Sequence, residues 1–506
     1  MEILEMSSRL QHPFLALTVS SLTACAVGPN YHAPPAPATS GYVAPGSLPA
    51  ATAGTQSAPV AAGDSQHFMS GMDIPGQWWA LFKSPDLNAL IERAMAHSPT
   101  LEAAQATLAQ ANETTAAERG SYYPSVSGTY QAERQKASGA AFGLPEAGSF
   151  LYTLNSASVN VSYTLDAFGG IRRQVEALQA QAEYQRHALE ASYLSLTANI
   201  VTAAVSEASL RAQIAATEEI ARSQQAQLDI TRRRASAGGA SRVDVLTQQA
   251  TLQSTLASLP PLRSQLAQER NQLAAYTGAL PADYDAPPIT LDSLTLPTDL
   301  PLSLPSALVE HRPDIQEFSA QLHEATAQIG VATANMLPQL TLTGSYGGDA
   351  TKFSNLFDPS SVVWSLIGGV TQPIFKGGQL MHQRRAAVAA AQAAAANYKA
   401  TVITAFQDVS NTLYALQADG EALAAETEAE RTAAESLKLV QVQYKAGGAS
   451  YLQVLTSEQT YQNAAIAQVK ARAQRYADTA ALFQALGGGW WNRNDLAANS
   501  SADKGH

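Results

Sequence analysis

Two kinds of hydrophobic pattern alternate along this chain, and each occurs twice. After His97-Ser98-Pro99 a helical stretch runs to about Arg119. A period of two follows, with Val126, Gly128 and Tyr130 on one side and Ser127, Thr129 and Gln131 on the other. Beyond a loop with Gly and Pro, Val159, Val161, Tyr163 and Leu165 alternate with Asn160, Ser162, Thr164 and Asp166. Further on, Leu340 and Leu342 alternate with Thr341 and Thr343, and Val362, Trp364, Leu366 and Val370 share a face ending at Gln372-Pro373. Apolar residues on one side and small polar ones on the other predict half-buried strands. A membrane β-barrel strand, with lipid outside and water inside, has the same pattern, as does a soluble sheet with one wet face.

A different period follows each strand pair. Between Gly170 and Gly238 lie 67 residues without proline or glycine. Positions 171, 175, 178, 182, 185, 189, 192, 196 and onward to 228 step by four and three, and include Ile171, Val175, Leu178, Leu189, Leu196, Ile200, Leu210, Ile214 and Leu228. Sustained 3-4 spacing is a coiled-coil seam, and at 1.5 Å per residue such a helix is about 100 Å long. Gly378 and Gly447 enclose a matching 68 residues, interrupted only by Gly420, with a seam through Leu380, Ala394, Tyr398, Ala405, Val409, Leu416, Leu423, Leu437, Val440 and Tyr444. The turns Gly238-Gly239-Ala240-Ser241 and Gly447-Gly448-Ala449-Ser450 reverse the chain, because Gly supplies positive φ and Ser caps the next helix. Helices over 241–277 and 450–486 are predicted, the first broken at Pro260-Pro261. The corresponding Val469-Lys470 leaves the second intact.

This is one unit written twice. His97-Ser98-Pro99 returns as His311-Arg312-Pro313 at an offset of 214, and Phe168-Gly169-Gly170 returns as Lys376-Gly377-Gly378. The Gly-Gly-Ala-Ser turns, Val245-Leu246-Thr247 with Val454-Leu455-Thr456, and Gly278 with Gly487 all share an offset of 209. Shared order and near-constant spacing identify a duplication. Each unit has short helices, a two-stranded hairpin and a very long helical hairpin. Four strands do not close a barrel, and open edges are not tolerated in lipid. Membrane-spanning strands would therefore require several chains, and three would supply twelve strands.

The first thirty residues read as an address. Arg9 precedes the apolar Phe14-Leu15-Ala16-Leu17-Thr18-Val19 and then Leu22-Thr23-Ala24-Cys25, a short secretory signal. Glu2 and Glu5 suit its leading region poorly, which leaves the start open between Met1 and Met6. The cut site resembles a bacterial lipobox, and Cys25 is the only cysteine of 506 residues. Ala26 follows it, where an aspartate would favour inner-membrane retention. From Ala26 to about Pro75 the chain is rich in Pro, Ala, Gly, Ser and Thr. It cannot form a core of its own and reads as an extended tether lying along the protein.

Composition narrows the function. With 42 acidic and 31 basic residues the net charge is −11, which excludes a general nucleic-acid binder. One cysteine excludes a disulfide framework or a cysteine-rich metal site. Only 14% of residues are charged, against about a quarter in ordinary globular proteins, as suits long, closely packed helices. No nucleotide loop, metal-spaced His pair or nucleophile elbow occurs, so no catalytic residue and no bound cofactor or metal is expected. His97 and His311 are expected at helix ends.

Several motifs together resemble one family. Cys25, Gly28-Pro29-Asn30-Tyr31 and Pro34, then Trp78-Trp79-Ala80-Leu81-Phe82 with Pro85-Asp86-Leu87, look like the outer membrane factors of tripartite efflux systems. These are the TolC-like proteins, here most similar to the NodT/OprM-like lipoprotein branch. Gln372-Pro373-Ile374-Phe375-Lys376-Gly377-Gly378, Tyr444-Lys445-Ala446-Gly447 and Ala485-Leu486-Gly487-Gly488-Gly489-Trp490 fit the same family. The resemblance spans essentially the whole mature chain. It implies a mainly α fold with a membrane β-barrel: a homotrimer with a twelve-stranded barrel and a twelve-helix periplasmic tunnel. It further implies a periplasmic adaptor, an inner-membrane transporter, often of the RND class, and a lipid-anchored outer-membrane location with S-diacylglycerol and N-acyl groups on Cys25.

On this reading the chain divides into a signal peptide (1–24), a lipidated tether (25–75), first-repeat short helices (76–121), a first β-hairpin (122–168) and a first long helical hairpin (169–280). A linker with the second short helices (281–337), a second β-hairpin (338–376), a second helical hairpin (377–486) and a tail (487–506) follow. The gate is expected at the periplasmic tip, where Asp229, Arg232, Arg233, Arg234 and Asp244 flank one turn and Tyr444 and Lys445 the other. Charges around a constriction can lock it or select ions. The family frequently places an aspartate near the second turn. Here those positions read Gln453, Thr456 and Ser457, so an acidic ring from the second unit is not expected. Adaptor contact is placed on Gly238, Gly239, Ala240 and Ser241 and on Gly447, Gly448, Ala449 and Ser450. The alternative readings are a periplasmic adaptor lipoprotein, which normally has one helical hairpin, and a secreted lipoprotein enzyme or carbohydrate-binding protein.

Overall fold

A computed structural model describes residues 26–39, 41–55, 60–138, 140, 143, 146 and 148–493. The expected signal peptide, Cys25 and the last thirteen residues of the tail lie outside them. In chain order the elements are β1 (His67–Ser70), α1 (Pro85–His97), α2 (Pro99–Arg119), β2 (Ser125–Ser138), β3 (Ser149–Leu165), α3 (Gly170–Ser236) and α4 (Arg242–Tyr276). Then come β4 (Asp299–Leu302), α5 (Pro305–His311), α6 (Pro313–Ala334), β5 (Gln339–Ala350), β6 (Val362–Thr371), α7 (Gln379–Lys445) and α8 (Tyr451–Ala485). Both long helices have 67 residues and both return helices 35. The chain forms two compact units, and α3 and α7 each run continuously from one into the other.

The first unit takes Met1–Pro34, Thr107–Gln185 and Glu317–Tyr398. Its centre is a four-stranded antiparallel sheet in the order β2-β3-β5-β6. The register places Val126 opposite Val161, Tyr163 opposite Leu342, Leu340 opposite Val370 and Tyr346 opposite Trp364. Directly paired residues lie on the same face, so these form one apolar surface, and it is bare: Val126 is 67%, Leu366 69% and Trp364 73% exposed. The opposite face is laced by hydroxyls and amides. Thr129 Oγ1 lies 2.9 Å from Ser158 Oγ, Asn160 donates to Thr129 Oγ1 at 3.1 Å, and Ser345 Oγ lies 2.8 Å from Ser365 Oγ. The outer edges of β2 and β6 have no further strand beside them among the described residues.

The start of the described chain is tied to this unit. Val27 donates to Phe168 O at 3.0 Å, and Ala26 packs on Gly169 at the β3–α3 junction. Gly28, with φ +96°, lies so close on Gly330 of α6 that a Cβ would fall 2.5 Å from its Cα. Tyr31 stacks on His323 with centroids 4.5 Å apart and shares a 2.7 Å hydrogen bond with Ser319.

The second unit takes Pro35–Ala106, Arg186–Gln316 and Lys399–His506. Trp78 stacks on Phe483 at 5.2 Å, and Phe82 meets Tyr476 at 6.2 Å. The low-complexity segment is pinned here. Its strand β1 pairs in parallel with β4, and Thr52, Ala62 and Gln66 are buried. Gly420, the one glycine inside α7, is where this segment crosses: a Cβ there would meet Ala53 O at 2.8 Å. From Leu196 onward the α3 seam is buried at Leu196, Ile200, Ala203, Leu210, Ala221 and Leu228. It also buries Glu207, which holds Arg211 at 2.7 Å and Arg270 of α4 at 3.0 Å. His97 and His311 end α1 and α5, and His311 stacks on Trp491 at 4.6 Å.

One expectation fails. Pro260 and Pro261 lie inside α4, which runs unbroken through them. Both rings are on the exposed side, between the buried Thr255 and Leu259 and the rest of the helix. The carbonyls that lose their donors, those of Leu256 and Ala257, belong to exposed residues and can be met by water. Packing of the buried face outweighs an intrinsic helix cost of about 3 kcal/mol per proline.

Candidate gate at the two helical turns

The two turns are built alike, atom for atom. At the end of α3, Gly238 has φ +79° and Gly239 donates to Arg234 O at 2.8 Å. At the end of α7, Gly447 has φ +83° and Gly448 donates to Gln443 O at 2.9 Å. This glycine cap satisfies carbonyls that a helix end leaves free. Each return helix then opens with a capping box. Ser241 Oγ accepts from Asp244 N at 3.1 Å while Asp244 Oδ2 accepts from Ser241 N at 2.8 Å. Ser450 and Gln453 do the same at 3.3 and 2.7 Å. Replacing Ser241 or Ser450 by alanine should cost about 1 kcal/mol at each turn. The checking measurement is faster amide exchange confined to the first turn of α4 or α8.

The predicted gate residues divide into distinct roles. Asp244 is engaged in the first capping box. Asp229 accepts from Gln225 at 3.1 Å and faces Arg232 at 3.7 Å on its own helix. Arg232 and Arg233 are exposed, and Arg233 sits in the last turn of α3, where a cation favours the helix dipole. Arg234 is the residue that crosses between hairpins. Its guanidinium stands 4.6 Å over the Tyr444 ring and donates to Tyr444 O at 3.5 Å and Lys445 O at 3.3 Å. It thus adds a cation–π contact to a charge at the carbonyl end of α7. Gly238, Gly239, Ser241, Gly447, Gly448 and Ser450 are exposed, and Ala240 and Ala449 are half-buried. Beside the turns Val243 and Leu452 are each 70% exposed.

A buried polar cluster behind the turns escaped the sequence reading. Gln248 of α4 is fully buried, donates to Gln224 O of α3 at 3.2 Å, and accepts from the Tyr451 hydroxyl of α8. Glu458, also on α8, is 4% exposed. Burial pushes its carboxyl up to about 7, opposed only by the Gln248 amide. Burial likewise raises the Tyr451 phenol, and Glu458, Tyr444 and Asp244 add to that rise. Gln224 sits at one of the counted seam positions, so a polar residue in an apolar register was the available signal. The facing partners were not readable from it.

The family model for outer membrane efflux proteins matches residues 90–279 and again 304–488, once for each repeat. The chain belongs to the outer membrane efflux protein family. It is an outer-membrane protein of efflux and not an enzyme; neither the adaptor reading nor the enzyme reading gains support. The antibiotic efflux pump outer membrane protein ArpC of Pseudomonas putida is 28% identical, the alignment covering 96% of each chain. Outer membrane protein OprJ of Pseudomonas aeruginosa is 27% identical over 94% of this chain and 95% of its own. The solved outer-membrane channel OprN superposes with a TM-score of 0.82 at 26% identity, over 92% of this chain and all of that one. The Campylobacter jejuni CmeC channel shares the fold, with a TM-score of 0.84 at 20% identity over 95% of this chain and 98% of its own.

Proposed function

We propose that three copies of this chain close a twelve-stranded barrel in the outer membrane and a twelve-helix tunnel across the periplasm. The assembly passes small molecules handed over by an inner-membrane transporter, of the RND class, through a periplasmic adaptor. The observation that carries this reading is the sheet of β2, β3, β5 and β6. Its apolar face is bare from Val126 to Trp364 and, among the described residues, its two outer edges are open, a combination stable in lipid only when strands of other copies complete the ring. The adaptor docks on turns 238–241 and 447–450, beside the exposed Val243 and Leu452. The gate lies at the same tip, with Arg234 against Tyr444 and Lys445 as its inter-hairpin latch.

Cys25 carries the diacylglyceryl and acyl groups in this proposal. The residue after it, Ala26, rests on Gly169 just beyond the end of β3. The test of the assembly is the detergent-corrected light-scattering mass of protein extracted from outer membranes. A trimer is expected. A monodisperse monomer would leave four strands with open edges and refute the barrel.

A further inference from the structure

The cluster behind the turns joins the two hairpins of one chain through groups that are poorly satisfied. Glu458 lies two turns into α8, and among the described residues neither of its carboxylate oxygens has a partner at ordinary hydrogen-bond distance and angle, the Gln248 amide standing just near enough to favour the ionised form. Gln224 of α3 is 1% exposed and both atoms of its side-chain amide are also unmatched. Gln248 and Tyr451 bond to each other across α4 and α8. Every element packed here offers a neutral or acidic group: Gln224 from α3, Gln248 and Asp244 from α4, Tyr451 from α8 itself, and Tyr444 from α7, whose ring is 5.8 Å from Tyr451. Arg234 is occupied over Tyr444 and with two carbonyls, and among the described residues no cation offsets the burial of Glu458. An unpaired buried carboxylate escapes its desolvation cost by taking up a proton.

We propose that Glu458 is a proton-binding site that holds the second hairpin against the first as the neutral acid, and that its ionisation releases α8 from α3 and α4. The proton leaves to periplasmic water and the freed carboxylate follows it into solvent. That the released form is the open gate rests on the channel reading above; the release itself does not.

The direction follows from linkage. In the packed form the carboxyl titrates near 7, and once solvated it returns to the ordinary value of 4.5. Above about 7 both forms are ionised and packing is weakest. As the pH falls from there to about 4.5, packing strengthens by roughly tenfold per pH unit, for one proton taken up, and then levels off.

The experiment is hydrogen-exchange mass spectrometry of the full-length protein in detergent from pH 5 to 8, on peptides covering 448–462. Wild type is compared with Glu458→Gln, whose amide mimics the neutral acid. Taking the ratio at each pH removes the intrinsic pH dependence of exchange. Wild type should exchange faster than the variant by a factor that grows about tenfold per pH unit between 5 and 7 and then flattens. A ratio that does not change with pH overturns the proposal. Glu458→Leu, also uncharged, gives the same comparison should the glutamine variant not fold. A flat ratio in a conducting trimer sinks this inference and leaves the channel reading standing. A rising ratio in a monomer that does not conduct supports the proton site and sinks the channel reading.

Discussion

Replacing Arg475 by alanine is expected to destabilise the second unit by about 3–5 kcal/mol, the range seen when a buried charged group loses its hydrogen-bonded place. Arg475 of α8 is fully buried, and among the described residues its guanidinium bonds to Thr52, Ala53, Ala62, Asp64 and Gln66. Its guanidinium donates to Ala62 O and Asp64 O at 2.7 Å, to Thr52 Oγ1 at 2.8 Å, to Gln66 Oε1 at 3.3 Å and to Ala53 O at 3.4 Å. Thr52 Oγ1 keeps the Gln66 N–H at 3.0 Å, but truncation strips the carbonyls of Ala53, Ala62 and Asp64 of this donor, which costs more than the bonds themselves. Limited proteolysis should then cut within 50–55 or 60–66, where wild type is expected to resist. Arg475→Lys should rescue only part of the loss, because an ammonium has three donors and no planar fork. Wild-type protection in Arg475→Ala would show that β1 and its pairing with β4 hold the segment unaided.

The second large effect is expected at Arg173, in the first unit. Its side chain is 5% exposed and donates to Val27 O at 3.1 Å, Gly28 O at 3.4 Å and Asn30 Oδ1 at 2.7 Å, while pairing with Glu176 at 2.7 Å. Arg173→Ala should cost roughly 2–4 kcal/mol and free the chain from 26 to 31. Glu176 keeps a second partner in His323 at 3.1 Å, so the helix itself should survive. Amide exchange would report this as lost protection of Val27, whose N–H is bonded to Phe168 O, with β3 and α3 unchanged. Loss of protection throughout the sheet would mean instead that Arg173 supports the fold as a whole.

Both arginines lie outside what periodicity can reveal. Arg173 and Arg475 stand in helices as two among many polar residues, and nothing in their spacing separates a buried hub from a solvated one. The same holds for Arg312, which spans Asp314, Asp408 and the carbonyls of Ala405 and Ala485. The residues expected at the gate show the limit from the other side. Asp244 follows the turn directly, and its carboxylate caps α4. Arg234, one of three consecutive arginines, is the one that reaches across. Which of Arg232, Arg233 and Arg234 does so depends on helix phase at the very end of α3 and on where α7 stops.

The sequence by itself determined the duplication, the strand faces, the two long helices and the place of both turns. Each of these is encoded by near-neighbour chemistry: period two in strands, 3-4 spacing in helices, glycine at positive φ and serine at the cap. The family followed from motifs spread over the whole chain. Only the tertiary structure decided that Pro260 and Pro261 ride inside a helix, because burial of one face offsets a local penalty. It alone tied Val27, Gly28 and Asn30 to Arg173, and Thr52, Ala53, Ala62, Asp64 and Gln66 to Arg475, and set Gln224, Gln248, Tyr451 and Glu458 together. Those contacts join residues up to 423 positions apart in the chain. Their energy comes from desolvation and partner geometry, which exist only once the helices have packed.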